Sequence, residues 1–283
     1  MKRSAIDLVD PFEWDVAVNL LRDFFRSRGF IEVAVQHRLS ILAACEDPRT
    51  IGSYTYMGET WPLPQTGQMW LEEELLKSPD TPGFYTVTTS YRNEPKPIPG
   101  RHNLIFPMFE FETGGGLEDL RSLEVELLEH LGFGDGKSFK HILYEEAAEL
   151  YRTRELEAED EERLRRDFGP VVFLSHFPQH TSPFWNMRKS GDIAHKIDVL
   201  LYGVETIGSA ERSTDPDEMR ELFHTISDGM YADMLYSLFT EERVERELEE
   251  FFAHHFFPRC GGGIGMTRMI KALKELGRIE DRS

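Results

Sequence analysis

Two spacings of hydrophobic residues alternate along the chain, and together they predict a fold that mixes helices with strands. Apolar residues three and four apart mark the helices, whereas alternating or β-branched and aromatic runs mark the strands. A densely charged segment, 144–166, has opposite charges four apart and predicts a solvated helix. The other predicted helices are 11–29, 68–77, 117–131, 217–238 and 241–252, and the predicted strands are 30–35, 85–91, 106–112, 171–174, 197–201, 204–207 and 261–265.

The order of these elements predicts an α+β fold, with an antiparallel sheet flanked by helices. The chain of 283 residues is long enough for one substantial core, and it shows no repeats, no low-complexity tract and no long linker. We therefore expect a single domain over residues 1–283.

Residues 91–112 carry the densest chemistry of the chain and predict a β-hairpin. Arg92 and Glu94 are two apart and share a face of the first strand. A loop stiffened by three prolines carries Arg101 and His102. The return strand places four side chains on one face: Phe106, Met108, Glu110 and Glu112. Arginines for phosphate beside an aromatic face for a base suit ATP.

A glycine-rich strand near the C-terminus leads into a helix that starts near Met266. Glycines such as Gly263 and Gly265 let the backbone approach a nucleotide closely, and Arg268 lies on the first turn of the helix. The run lacks the Lys-Ser/Thr ending of a P-loop and the βαβ context of a dinucleotide fingerprint.

Two acidic residues are predicted to face the same side of a second hairpin. If Tyr202-Gly203 is a two-residue turn, Leu200 pairs with Glu205, and Asp198 shares the face of Leu200. Mg²⁺ prefers one or two carboxylates together with phosphate oxygens, so Asp198 and Glu205 predict a magnesium site.

Composition narrows the choice of partners. The chain has a net charge of −19, which weakens the case for a nucleic-acid partner such as tRNA without excluding it. No apolar run is long enough to span a bilayer, and the N-terminus has no apolar core of a signal peptide. With Cys45 and Cys260 as its two cysteines, expected to be free thiols, the chain suits the cytoplasm.

The motifs together resemble the catalytic core of class II aminoacyl-tRNA synthetases, in the aspartyl/asparaginyl subgroup. Residues 91–112 resemble motif 2, residues 261–268 resemble motif 3, and residues 28–33 resemble the dimer-forming motif 1. The resemblance implies ATP and Mg²⁺ as cofactors and a homodimer. It assigns the α-phosphate to Arg92, the adenine amino group or acceptor end to Glu94, the outer phosphates to Arg101 and His102, adenine stacking to Phe106, the γ-phosphate to Arg268, the close nucleotide approach to Gly263 and Gly265, and the metal to Asp198 and Glu205.

The same resemblance implies an amino-acid pocket for Asp, Asn or a near analogue. Gln68 and Arg212 match residues that contact the amino acid and its side chain, and Glu46 matches an acid for the α-amino group. Aspartyl enzymes carry a Lys where this chain has Leu71, whereas asparaginyl enzymes carry Leu-Glu, as in Leu71-Glu72, so the resemblance also assigns Glu72 to the substrate. The lead-in to motif 3 has Arg259 where the family has His.

The acyl acceptor is left open by the sequence. About a dozen residues precede the first helix, too few for the anticodon-reading OB-fold of aspartyl and asparaginyl synthetases. We therefore expect a stand-alone ligase that resembles archaeal-type asparagine synthetase, activates Asp as an acyl-adenylate and transfers it to ammonia. The alternatives are transfer to tRNA, a carrier protein or a small amine, and a non-catalytic paralogue that binds an amino acid or a nucleotide.

Overall fold

The computed structural model describes residues 8–36, 39–42, 48–94, 103–181 and 183–280. Its strands are β1 (Ile31–Glu32), β2 (Gly52–Tyr56), β3 (Glu59–Leu63), β4 (Gly83–Tyr91), β5 (Ile105–Gly114), β6 (Lys140–Leu143), β7 (Val171–Pro178), β8 (Lys189–Ser190), β9 (Ile193–Leu201), β10 (Val204–Glu211) and β11 (Arg259–Gly265). Its α-helices are α1 (Pro11–Ser27), α2 (Gln68–Lys77), α3 (Leu117–Leu131), α4 (Tyr144–Tyr151), α5 (Ala158–Phe168), α6 (Pro216–Thr225), α7 (Met230–Phe239), α8 (Glu241–Phe252) and α9 (Met266–Glu275).

One large sheet organises the domain, in the order β1-β4-β5-β11-β10-β9-β7-β6, with β8 paired to β9. The successive pairs from β4 to β7 are antiparallel, whereas β1 and β6 join the two edges in parallel. Strands β2 and β3 form a separate hairpin. The predicted α+β architecture with a mostly antiparallel sheet is confirmed.

Helices α1, α3 and α9 cover one face of the sheet and form the main core with it. Phe25 of α1 packs on Phe109 and Phe111 of β5, with ring centroids 5.2 and 5.0 Å apart. A second core lies around the buried Trp185 and includes side chains of α2, α6, α7 and α8. Between these layers the other face of β5, β10 and β11 stays open, and that opening becomes the functional groove.

Several predicted boundaries agree with local chain chemistry. Asp10 accepts hydrogen bonds from the first backbone N–H groups of α1, Pro11 starts that helix, and Gly29 ends it with φ +79°. Tyr202 and Gly203 both have positive φ, 52° and 78°, which is the geometry of the predicted tight turn.

Three predicted elements are interrupted or shorter in the structure. The predicted helix 144–166 divides into α4 and α5, because Arg152 adopts φ 56° and ends the first helix. The predicted helix 217–238 divides into α6 and α7 at Ser227 and Asp228, which both have left-handed backbone angles. The predicted strand 30–35 pairs only at Ile31–Glu32. Apolar periodicity alone does not reveal these breaks, because the hydrophobic pattern continues across them.

No helix in the described ranges is long and apolar enough to cross a membrane.

Helix α3 carries a buried carboxyl group on the side that faces the main core. Glu124 of α3 is fully buried, and the hydroxyl of the neighbouring Ser209 donates its hydrogen bond to the carbonyl of Ile197 at 3.2 Å. Neither carboxyl oxygen of Glu124 has a hydrogen-bond partner among the described residues. Burial therefore raises the pKa of Glu124 to about 8, and the charge of Asp198 acts in the same direction.

Replacing Glu124 by Gln should change how stability depends on pH. Because the pKa of Glu124 is about 8 in the folded protein and ordinarily 4.5, the folded state holds the extra proton. Stability therefore falls as the pH rises from about 4.5 to about 8. We expect Glu124→Gln to gain roughly 1–3 kcal/mol over the wild type at pH 8.5 relative to pH 5.5. Urea unfolding at the two pH values measures this difference.

The matched control is Glu126→Gln, an exposed glutamate on the same helix that pairs with Arg28. Its unfolding curves should follow those of the wild type at both pH values to within about 0.5 kcal/mol. Parallel pH profiles for Glu124→Gln and the wild type would contradict the raised pKa.

Candidate active site

Two adjoining cavities of about 510 and 560 Å³ lie on the open face of the sheet. Five residues line both cavities: Arg92, Met108, Glu205, Gly208 and Gly263. The two cavities are therefore halves of one continuous groove, in which strands β5, β10 and β11 supply the floor.

One half of the groove, the larger cavity of about 560 Å³, brings together several of the residues predicted to bind the nucleotide. Arg92 follows β4, and its backbone N–H donates to the Leu104 carbonyl at 2.8 Å, which continues the hairpin by one bond. The Arg92 guanidinium lies 5.6 Å from the centre of the Phe106 ring. Both side chains line this half together with Gly265 and Arg268. The hairpin and the glycine-rich strand, distant in sequence, thus form one surface.

The glycine-rich strand approaches its neighbour too closely for side chains. A Cβ at Gly262 would lie 2.6 Å from the Ser209 Cβ and 3.0 Å from the Gly208 carbonyl oxygen of β10, and a Cβ at Gly263 would displace the end of the Met108 side chain. After the strand, Arg268 lies on the first turn of α9, and its Nη1 donates to the Glu205 carbonyl at 2.6 Å. The Arg268 side chain is 39% exposed, so it is accessible from the groove.

The two acidic residues of the second hairpin converge as predicted. Leu200 pairs with Glu205, and a bulge after Glu205 then brings Gly208 opposite Asp198. A Cβ at Gly208 would lie 3.0 Å from Glu205 Oε1 and 3.6 Å from Asp198 Oδ1, so both carboxylates border the same space. Lys196 Nζ donates to Asp198 Oδ2 at 2.9 Å. The pair has the ligand chemistry of Mg²⁺, provided that other ligands come from phosphate or water.

Within the described ranges no group of three His, Cys, Asp or Glu side chains could hold a metal ion by itself.

The second half of the groove is organised by Glu110, a fully buried residue of β5 to which the sequence assigned no role. Glu110 accepts hydrogen bonds from the Thr66 hydroxyl, the Gly67 backbone N–H and, at 2.5 Å, the Thr88 hydroxyl. Burial raises the pKa of Glu110 while these donors oppose the shift. The contacts anchor the loop before α2, and they position Gln68 in the groove as the sequence predicted.

Arg212, predicted to read the amino-acid side chain, lines the same half and is 4% exposed. Its Nε and Nη2 donate to the two oxygens of Glu112 at 2.7 and 3.0 Å. Burial raises the pKa of Glu112 to about 7, even though the charge of Arg212 opposes the shift. A Cβ at Gly261 would collide with the Glu112 carboxylate, so this ion pair requires glycine in β11.

Glu72, also predicted to contact the substrate, does not line either cavity. One of its oxygens accepts from the Nε and Nη2 of the fully buried Arg259, and the other accepts from Asn186 Nδ2 at 2.8 Å. Arg259, which stands where the family has a histidine, thus forms a buried ion pair with the Glu72 carboxylate. A substrate contact of Glu72 stays a prediction, whereas its role beneath the groove follows from these bonds.

The remaining predicted residues have other outcomes. Glu46, Arg101 and His102 fall outside the described residues, and so does Cys45. Glu94 is described and partly buried, but it does not line either cavity. Several lining residues were given no individual role from the sequence: Arg49, Thr66, Thr181, Asn186, Lys196 and Met230. Their positions depend on how the chain folds over the sheet.

The fold and the groove define a class II-type catalytic domain, built on an antiparallel sheet with the site on its open face. Residues 15–282 match the family described as tRNA synthetases class II (D, K and N), and the chain belongs to this family.

Two curated relatives illustrate its place in the family. The aspartate–tRNA(Asp) ligase of Thermoplasma volcanium is 24% identical over 92% of this chain and 64% of its own length. The asparagine–tRNA ligase of Desulforamulus reducens is 23% identical over 92% of this chain and 64% of its own length.

Solved structures confirm the fold. The asparaginyl-tRNA synthetase of Pyrococcus horikoshii, complexed with asparaginyl-adenylate, has a TM-score of 0.75 at 20% identity, over 94% of this chain and 65% of its own. The asparaginyl-tRNA synthetase of Entamoeba histolytica, also with asparaginyl-adenylate, has a TM-score of 0.70 at 19% identity, over 93% of this chain and 63% of its own. This chain spans less than two thirds of the length of each of these four proteins.

Removing the arginine beneath the groove should be costly, and removing its partner as well should restore stability. We expect Arg259→Leu to lose roughly 3–5 kcal/mol of unfolding free energy, because Glu72 is left charged and buried. The double variant Glu72→Leu/Arg259→Leu should recover most of this loss, since it leaves no buried charge. Chemical unfolding of the single and double variants measures both the loss of unfolding free energy and its recovery.

The exposed pair Arg165–Glu162 offers a matched control, with side chains 43% and 44% exposed. Arg165→Leu should cost less than about 1 kcal/mol. A loss of that small size for Arg259→Leu would show that the buried pair does not support the groove.

Proposed function

We propose that this chain activates aspartate or asparagine with ATP, giving an aminoacyl-adenylate and pyrophosphate. One observation carries the proposal: a single groove holds Arg92 and Arg268 in its nucleotide half, Arg212 in its other half, and the carboxylate of Glu205 between them. This inventory suits a reaction in which charge develops on phosphate while an amino acid is held beside it.

The reaction needs no nucleophile from the protein. A carboxylate oxygen of the amino acid attacks the α-phosphorus of ATP and forms the new P–O bond, while the bond to the pyrophosphate oxygen breaks. Pyrophosphate leaves with that electron pair. In this proposal Arg92 binds the α-phosphate and stabilises its added negative charge, Arg268 holds the outer phosphates, and Phe106 stacks on adenine. Gln68 and Arg212 orient the amino acid.

Asp198 and Glu205 are the residues that would hold Mg²⁺. Their convergence above Gly208, a residue that leaves the space free of a side chain, supports this assignment. The ion supplies positive charge that neutralises phosphate oxygens when it is bound. Lys196, which bonds to Asp198, keeps that carboxylate in position.

The relatives favour tRNA as the acceptor of the activated amino acid. They are named as tRNA ligases, whereas no comparison supports the ammonia-dependent synthesis of asparagine that the sequence placed first. We therefore propose tRNA as the first acceptor to test and ammonia as the second. A purely sensory role is disfavoured by the retention of both arginines and both carboxylates.

A homodimer is part of the proposal. Phe12 and Val16 of α1 and Ile31 of the edge strand β1 are 62%, 42% and 51% exposed. Large exposed apolar side chains are typical of an interaction surface, and Ile31 lies in residues 28–33, the segment that resembles motif 1.

The adenylation step predicts amino-acid-dependent exchange of labelled pyrophosphate into ATP. We expect exchange with aspartate or asparagine, and we expect Arg92→Ala and Glu205→Ala each to reduce it about 100-fold or more, because charge on the transferring phosphate goes unmatched. Arg121→Ala removes a cation that pairs with Glu118 outside the groove and should retain wild-type exchange. Absence of exchange with all twenty amino acids would refute the proposal.

The acceptor is tested separately with labelled amino acid and ATP. Acid-precipitable label on tRNA would identify aminoacylation, whereas release of asparagine from aspartate and ammonium would identify the second candidate. Exchange without either product would direct the search to carrier proteins and small amines.

A further inference from the structure

Asn186 has a buried acceptor atom without a hydrogen-bond partner, and the residue borders the half of the groove that contains Arg212. Asn186 is 1% exposed and lines the cavity. Its Nδ2 donates to Glu72 at 2.8 Å, and its Oδ1 is buried without a hydrogen-bond partner among the described residues. A buried acceptor left in this way is costly unless a ligand supplies a donor.

The orientation of this amide is dictated by its neighbours. Both Glu72 oxygens accept hydrogen bonds, one of them from the fully buried Arg259, and a carboxylate has no proton to donate. Rotating the Asn186 amide by half a turn would press its oxygen against the Glu72 carboxylate. Nδ2 must therefore face Glu72, which leaves Oδ1 for a ligand.

A donor belongs to the same subsite. The backbone carbonyl of Asn186 accepts from the Ser213 N–H at 2.8 Å, which places Asn186 beside the residue that follows Arg212. The fork between Arg212 and Glu112 uses Nε and Nη2, so Nη1 of Arg212 lies outside the pair. The subsite thus offers one acceptor from Asn186 and one donor from Arg212.

The charges around the subsite are balanced. Arg212 is matched by Glu112, and Arg259 is matched by Glu72, so the four side chains sum to zero when all are ionised. The position that could have added a lysine is Leu71, which is fully buried and apolar. Among these four side chains a substrate carboxylate would find no surplus positive charge, and it would add a third carboxylate to the two already present.

We propose that this subsite selects a side-chain carboxamide over a carboxylate, so that asparagine, and not aspartate, is the amino acid activated. The inference rests on the proposed adenylation and names its substrate. The carboxamide carbonyl accepts from Arg212, and its N–H donates to Asn186 Oδ1. A carboxylate has no donor for Oδ1, which would then face another acceptor.

Binding of stable adenylate analogues tests this selection without requiring catalysis or an acceptor. Asparaginyl-sulfamoyl adenosine should bind the wild-type protein about tenfold or more tightly than aspartyl-sulfamoyl adenosine by calorimetry. The β-methyl ester of the aspartyl analogue is uncharged but lacks a donor. It should also bind about tenfold or more weakly than the asparaginyl analogue, which separates the missing donor from the effect of charge.

Asn186→Leu removes the acceptor at similar volume. We expect its affinity for the asparaginyl analogue to fall to that for the ester, while its affinity for ATP stays at the wild-type value. A purely structural role of Asn186 would weaken all of these ligands together. Asn19→Leu makes the same substitution at an exposed position of α1, where Asn19 Nδ2 donates to Asp15 at 3.0 Å outside the groove, and it should keep the wild-type preference for asparagine.

The outcomes distinguish the inference from the function beneath it. Two results would overturn the selection by Asn186 and leave the adenylation proposal standing. One is equal or tighter binding of the aspartyl analogue by the wild type, and the other is an unchanged preference in a folded Asn186→Leu variant. Failure of all three analogues to bind would overturn the adenylation proposal and this inference together. The comparison of three analogues on the wild type decides the question even if Asn186→Leu does not fold.

Discussion

The groove depends on two buried ion pairs that join elements distant in sequence. Arg259 of β11 binds Glu72 of α2, and Arg212 at the end of β10 binds Glu112 of β5. Each charge is almost fully removed from water, so each requires its partner. Because the four groups come from three neighbouring strands and the helix above them, their pairing holds the floor and wall of the groove in one arrangement.

The same pairs explain why β11 is rich in glycine. Gly261 leaves room for the Glu112 carboxylate, and Gly263 leaves room for Met108. A glycine strand that first suggests close approach to a nucleotide therefore serves two purposes, since it also accommodates side chains of the adjacent strand. The polar atoms that these ion pairs do not use are then the ones left for a ligand in the groove. The Oδ1 acceptor of Asn186 is one of them.

Strong local patterns were predicted well from the sequence. The bounds of α2, α3 and α8, the register of Leu200 with Glu205, and the start of α9 at Met266 agree with the structure. These features follow from apolar periodicity and from turn residues, which act over a few positions. The breaks at Arg152 and at Ser227-Asp228 were missed because non-glycine residues adopt left-handed angles there without a local signal.

The sequence by itself determined the mixed fold and singled out Arg92, Phe106 and Arg268 as the predicted nucleotide-binding residues, together with the acid pair, because each lies on an element with a clear local pattern. Only the tertiary structure decided the partners of buried charges. In the folded chain Glu72 pairs with Arg259, and Glu110 anchors the loop before α2. Asn186, which donates to Glu72, lines the same half of the groove as Arg212. Those outcomes depend on which side chains meet across separate elements, where burial makes every unpaired polar atom costly.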